Sequence, residues 1–254
     1  GAVVNAARGI ASQVSNGAQV FTQNFLMASR PQIVKFWAQK EQQQFHLLVC
    51  RASKIGYALM LIVSLPAFLE MDYLLAFWLK HVPDHAVNLT RIVIVACLVE
   101  CISYPVGTAI QATGFVAVYQ TLMGTVIFVS LFMVWIVLKL GGSPEQAIFV
   151  SIFMSFALTT VRLVFYKILT KVRLRMYSMT VIIPSLLITV IAGLVPGVFL
   201  VTIPVSLMRF LLVGFSSVFG IVAASFLLLL TSSERHRCIS AGILFLKRRY
   251  ARNS

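Results

Sequence analysis

The stretch VSLMRFLLVGFSSVFGIVAASFLLLL, Val205–Leu230, decides the fold class. It carries a single charge, Arg209, and is otherwise apolar or small. A helix that crosses the hydrocarbon core of a bilayer needs about 20 such residues. Ile55–Leu79, Ile92–Ile110, Leu122–Leu138, Ala147–Phe165 and Val181–Val201 read the same way. The 254 residues are 59% hydrophobic and 11% charged, with a mean hydropathy of +0.94, whereas soluble domains carry about 25% charged residues. A soluble chain this apolar could not cover its own surface, so lipid is the expected solvent.

The formal net charge of +14 raises nucleic acid as a partner. Its distribution argues against that, because basic residues collect in the cytoplasmic loops of membrane proteins. If residues 1–29 form the first of about seven helices, the basic clusters at 30–54, 162–175 and 235–252 all fall on one side. The breaks near 81–86, 139–145 and 201–204 carry few basic residues and fall on the other. The positive-inside rule then puts the clusters and the C-terminus in the cytoplasm and residue 1 outside. The expected architecture is an all-α polytopic transmembrane bundle over 1–230 with a basic cytoplasmic tail over 231–254. The chain starts at Gly1 and lacks the n-region and cleavage site of a signal peptide. It reads as a fragment whose N-terminal part is missing.

Proline and glycine punctuate the pattern. Pro31 is expected to help end the first helix, leaving 30–54 as a polar break. Pro66 and Pro105 are expected kinks, and Gly114 is a stop signal. Ser143 is an expected N-cap, with Pro144 at the first helical position and Glu145 in the first turn. Pro196-Gly197 and Pro204 are expected to bracket the break between the sixth and seventh spans.

Residues 1–29 are the least apolar span, yet Arg8, Ser12, Asn16, Gln19 and Gln23 recur every three to four residues and share a face. In lipid such a stripe must meet protein or water. It is either glue between helices or the wall of a hydrated cavity. Arg91 and Arg209 are embedded cations outside the dense clusters, each close enough to a helix end to snorkel to the headgroups. Glu100 lies about halfway along its span, where a carboxylate needs a structural partner or a function in ion coupling. Glu70 and Asp72 sit near an outer end, where solvation is the simpler account. Cys97 and Cys101 share a helix face, but neither the four Cys nor the four His fall at metal-ligand spacing. No metal, cofactor or catalytic residue is expected. Asn88-Leu-Thr90 matches a glycosylation sequon but sits where a helix packs, so the match is read as chance.

Several segments resemble the C-terminal half of Wzx-type polysaccharide flippases, of the multidrug/oligosaccharidyl-lipid/polysaccharide exporter superfamily. They are Val4-Asn-Ala-Ala-Arg8-Gly-Ile-Ala, Ser29-Arg-Pro31-Gln-Ile-Val-Lys35-Phe-Trp-Ala, Leu65-Pro66 with Glu70, Leu79-Lys-His-Val-Pro83-Asp, Gln111-Ala-Thr-Gly114 with Tyr119, and Gly141-Gly-Ser-Pro144. Each is short and degenerate; their order and spacing carry the likeness, which covers nearly the whole chain. The resemblance implies one lobe of a two-lobe exporter of twelve to fourteen helices around a central cavity, with the N-terminal lobe absent. It implies a transporter in the bacterial inner membrane, and not an enzyme. The implied activity is to flip undecaprenyl-diphosphate-linked oligosaccharide by ion-coupled alternating access, with a polysaccharide polymerase as a further partner. The stripe Arg8, Ser12, Asn16, Gln19, Gln23, together with Arg91 and Arg209, would then contact substrate, since Arg suits diphosphate oxygens, and Glu100 would serve coupling. One alternative is a multidrug-type exporter of the same superfamily, which predicts an acidic cavity. Another is a membrane-embedded glycan polymerase or glycosyltransferase, which calls for a larger outer loop with catalytic acids or bases.

Overall fold

The computed structural model describes residues 2–229. The expected tail at 231–254 lies outside the described residues. Within them the chain is all-α: α1 (Ala2–Ala38), α2 (Gln42–Leu69), α3 (Met71–Trp78), α4 (Ala86–Cys101), α5 (Tyr104–Ala112), α6 (Val116–Lys139), α7 (Pro144–Thr170), α8 (Leu174–Tyr177), α9 (Ile183–Thr202) and α10 (Leu207–Leu228). A π-helical turn, Ser178–Ile182, joins α8 to α9. Six of the helical stretches are long and apolar enough to cross a membrane, counting α4–α5 as one and α8–α9 as another. The chain is a multi-pass membrane bundle.

α2 is the centre of the bundle. It packs against α1, α4 and α5 on one side and against the α9–α10 hairpin on the other. α7 lies on α4, and α6 lies outermost on α7. Both faces of α6 are apolar and mostly exposed, as lipid-facing helices are. The buried Lys54 of α2 donates to the Leu229 carbonyl, 2.9 Å away at the end of α10, where a cation meets the negative end of the helix dipole.

α1 packs through Ala7, Ala11, Ser15, Ala18, Thr22, Leu26 and Ile33. That spacing keeps one face turned to α4 and α2. The small residues allow close approach, and Thr22 Oγ1 donates to the Gly56 carbonyl at 3.2 Å.

Four boundaries differ from expectation. α1 does not end at Pro31 but runs through it to Ala38, and the polar break shrinks to residues 39–41. Packing overrides the lost backbone bond, because Ile33, Phe36 and Trp37 join the main core beyond the proline. The second span divides at Glu70 into α2 and α3. Pro105 marks a full break, with Pro105 in the first turn of α5, where its missing N–H costs nothing. Pro196 lies buried inside α9, so the break before α10 is confined to residues 203–206, and Ser206 caps α10 by accepting from the Arg209 amide. Pro66 lies inside α2, and the signals at Ser143 and Gly114 are as expected. Ser143 and Gln146 form a capping box at α7 with Pro144 in its first turn. Gly114 has φ +90°, which favours glycine.

Candidate functional site

The break between α4 and α5 leaves backbone groups without helical partners inside an apolar bundle, where each would be costly. Side chains from other helices supply what is missing. Thr159 Oγ1 of α7 donates to the Val99 carbonyl at 3.2 Å. Tyr177 of α8, fully buried, donates to the Ile102 carbonyl at 2.7 Å and lies 2.9 Å from Ser53 Oγ. Ser103 Oγ turns back onto the Glu100 carbonyl at 3.0 Å. A broken helix at membrane depth whose open backbone is served by side chains is how many transporters build their binding sites.

A polar cluster grows from this break. Glu100 lies about 21 Å along α4 from Ala86 at 1.5 Å per residue. Its Oε1 accepts from Ser155 Oγ of α7 at 2.8 Å. Arg162, two turns further along α7, donates from Nε to Tyr119 Oη at 3.2 Å and from its terminal nitrogen to Ser103 Oγ at 3.1 Å. Its guanidinium also lies over the Tyr104 ring, 5.4 Å from the centroid. Tyr104 donates to Gln19 Oε1 of α1 at 3.3 Å, and Gln19 Nε2 lies 3.2 Å from Cys97 Sγ. Ser155, Thr159 and Ser103 thus line one seam between α4 and α7, with Glu100 toward one end and Arg162 toward the other.

The residues singled out in the sequence do not all gather here. Of the α1 stripe, Gln19 enters the cluster as glue between helices. Arg8, Ser12 and Asn16 are exposed, a polar face that no described helix covers, and Gln23 at its edge is half-buried. Arg8 makes no hydrogen bond or ion pair among the described residues.

Arg91 and Arg209 lie elsewhere, at the α2–α3 junction, and both are occupied. Arg91 bonds Asp72 at 2.7 Å and the Phe68 carbonyl at 3.1 Å. Arg209 grips Glu70 in bidentate fashion, at 2.7 and 2.8 Å, and donates to the Ile203 carbonyl at 3.3 Å. Glu70 is 2% exposed, which overturns its reading as solvated. The same end of the bundle holds a His85–Glu145 contact that ties the starts of α4 and α7 together. Glu100 is where the sequence placed it, deep in its span. Arg162, Ser103, Tyr104, Tyr119 and Ser155 were not anticipated. Ser155, Thr159 and Arg162 recur at four and three residues, a shared helix face that the apolar run of α7 conceals.

Compared with known proteins, the chain matches no family model, no curated protein and no solved structure.

Proposed function

We propose that the chain is the C-terminal lobe of a transporter that flips undecaprenyl-diphosphate-linked oligosaccharide across the bacterial inner membrane. The observation that carries the reading is the open polar face of α1, with the unpaired Arg8, adjoining the Glu100–Arg162 cluster through Gln19. A glycan on a diphosphate needs a hydrated, cationic passage through lipid. An embedded Arg without a carboxylate is suited to a phosphate that arrives and leaves. In this reading the second lobe faces α1, and Ser12, Asn16 and Gln23 border the passage beside Arg8. Arg91 and Arg209, held by carboxylates, frame it instead of touching substrate. Glu100 is the coupling group, and the chain carries out transport and not catalysis.

The test is export in cells that make the whole protein. Arg8→Ala is expected to reduce surface polysaccharide while protein abundance holds. Arg8→Lys is expected to rescue only in part, since an ammonium lacks the planar fork. Unchanged export by Arg8→Ala would remove Arg8 from the passage.

Orientation belongs to the same proposal. The end of α1, which carries Lys35, and the junction of α7 with α8, which carries Arg173 and Arg175, are assigned to the cytoplasm by the positive-inside rule. In intact cells a Cys introduced at Gly142 should react with an impermeant thiol reagent, and one at Arg173 should not. The reverse pattern would invert the bundle.

A further inference from the structure

The chain treats its two embedded acid–base sets in opposite ways. Glu70 and Arg209 are joined by two short bonds. Glu100 and Arg162 share one polar cluster, yet each is held on neutral partners. Glu100 has Ser155, and Arg162 has Ser103, Tyr119 and the face of Tyr104. Among the described residues no base lies within 4 Å of Glu100 and no acid within 4 Å of Arg162. Two opposite charges in a low-dielectric interior attract strongly, so keeping them apart requires a built arrangement.

That arrangement is visible. Ser103, the hydroxyl that holds Arg162, sits one helical turn beyond Glu100, about 4.5 Å along the axis. The Tyr119 hydroxyl that holds Arg162 on its other side presses against α5 so closely that a Cβ at Gly107 would lie 2.8 Å from it. Gly107 therefore lets Tyr119 reach the guanidinium. Ser103 itself lies in the α4–α5 break, where backbone bonding is already transferred to Thr159 and Tyr177. Side chains on a helix lean toward its N-terminus, and for Arg162 that direction leads from Ser103 toward Ser155 and Glu100. A shift of one turn at the break carries the guanidinium from the hydroxyl to the carboxylate, the kind of step by which packed elements switch between two states.

We infer that Glu100 and Arg162 are the two halves of one separable charge pair, with Arg162 closing onto Glu100 in the alternate state of the α4–α5 break. The inference rests on the transporter reading for its purpose. A proton or alkali cation that leaves Glu100 is replaced there by the guanidinium, and one that arrives releases Arg162 to Ser103 and Tyr119. Arg162 is a positioning residue for the coupling step, not a substrate contact.

The experiment compares Glu100→Gln, Arg162→Gln, Arg162→Lys and the double variant Glu100→Gln/Arg162→Gln in the whole protein. Two readouts are taken: thermal unfolding in detergent, and export with the proton or sodium gradient collapsed or intact. Each single Gln variant leaves one charge uncompensated and should melt lower than the parent. The double variant should melt above either single variant, because no lone charge remains. Arg162→Gln should lower export about tenfold or more, as expected for losing one charged contact, and should abolish its gradient dependence. Arg162→Lys should retain part of both. The double variant should accumulate yet remain uncoupled. Additive melting losses in the double variant, whatever the export result, would overturn the pair. Non-additive melting with no variant affecting export would keep the pair and defeat the transporter reading, so the two failures are distinguishable.

Discussion

Glu70→Ala and Arg209→Ala should each lower the midpoint of thermal unfolding of the detergent-purified protein by roughly 6–20 °C. The reasoning starts from burial. The Glu70 side chain is 2% exposed and that of Arg209 12% exposed, so neither charge is served by water. Removing one partner strands the other, which costs about 3–5 kcal/mol. The bidentate geometry also joins residues 139 positions apart and fixes the start of α10 on the α2–α3 junction. Arg209→Lys should recover only part of the loss, because an ammonium lacks the planar fork that meets both carboxylate oxygens. Replacing both partners with apolar residues, Glu70→Leu with Arg209→Met, should harm less than either single alanine, since no lone charge is left. The neighbouring Arg91–Asp72 pair gives the contrast. Its carboxylate is 68% exposed, and exposed pairs contribute about 0–1 kcal/mol, so Asp72→Ala should barely move the midpoint. Equal shifts for Glu70→Ala and Asp72→Ala would mean that burial does not govern this end of the bundle.

The sequence announces this architecture through local signals and hides what depends on distant ones. Apolar length gave the spans, and the Ser143–Gln146 cap was visible because every part of it lies within four residues. Pro31 misled because its local cost is outweighed by Ile33, Phe36 and Trp37, which find a core built by other helices. Glu70 read as solvated because it sits near the end of an apolar run. Nothing nearby shows that Arg209 covers it. Arg91 and Arg209 read as snorkelling or substrate contacts for the same reason. Glu100 was legible as an anomaly, since a lone acid in mid-span stands out on composition alone. Arg162 was not, because it heads the run Arg162, Lys167, Lys171, Arg173 and Arg175 and was counted with it. Its place inside the apolar stretch, on one face with Ser155 and Thr159, was the available clue. The α1 stripe could be read as glue or as a cavity wall, and it divides accordingly: Gln19 is glue, while Arg8, Ser12 and Asn16 stay open.

The hairpin of α9 and α10 carries the second large effect, and it tests packing without any charge. The two helices meet through small residues. A Cβ built on Gly220 would lie 3.2 Å from the Cα of Ala192 and 3.5 Å from its carbonyl oxygen. Those atoms belong to backbone, so they cannot swing aside as a side-chain tip would. Gly220→Leu must push α10 away from α9, and overpacking of this kind costs about 1–3 kcal/mol. It also disturbs Ile188 and Ala192 of α9 and Ile221 and Ala224 of α10, which belong to the main core. In lipid there is little hydrophobic drive to press the helices back together, because tails solvate leucine as well as the partner helix does. Gly214 sits in the same helix with nothing within 4 Å of its Cβ position. Gly214→Leu adds the same side chain without the contact and gains the better helix propensity of leucine over glycine. The expected result is a midpoint lowered by roughly 2–12 °C for Gly220→Leu and unchanged or raised for Gly214→Leu. Gly220→Ala should fall between, because a single methyl needs only a few tenths of an ångström from Ala192. If both leucine variants melt alike, the close approach of α10 to Ala192 is not what holds the hairpin, and the apolar faces of α9 and α10 that contact α2 must do so instead.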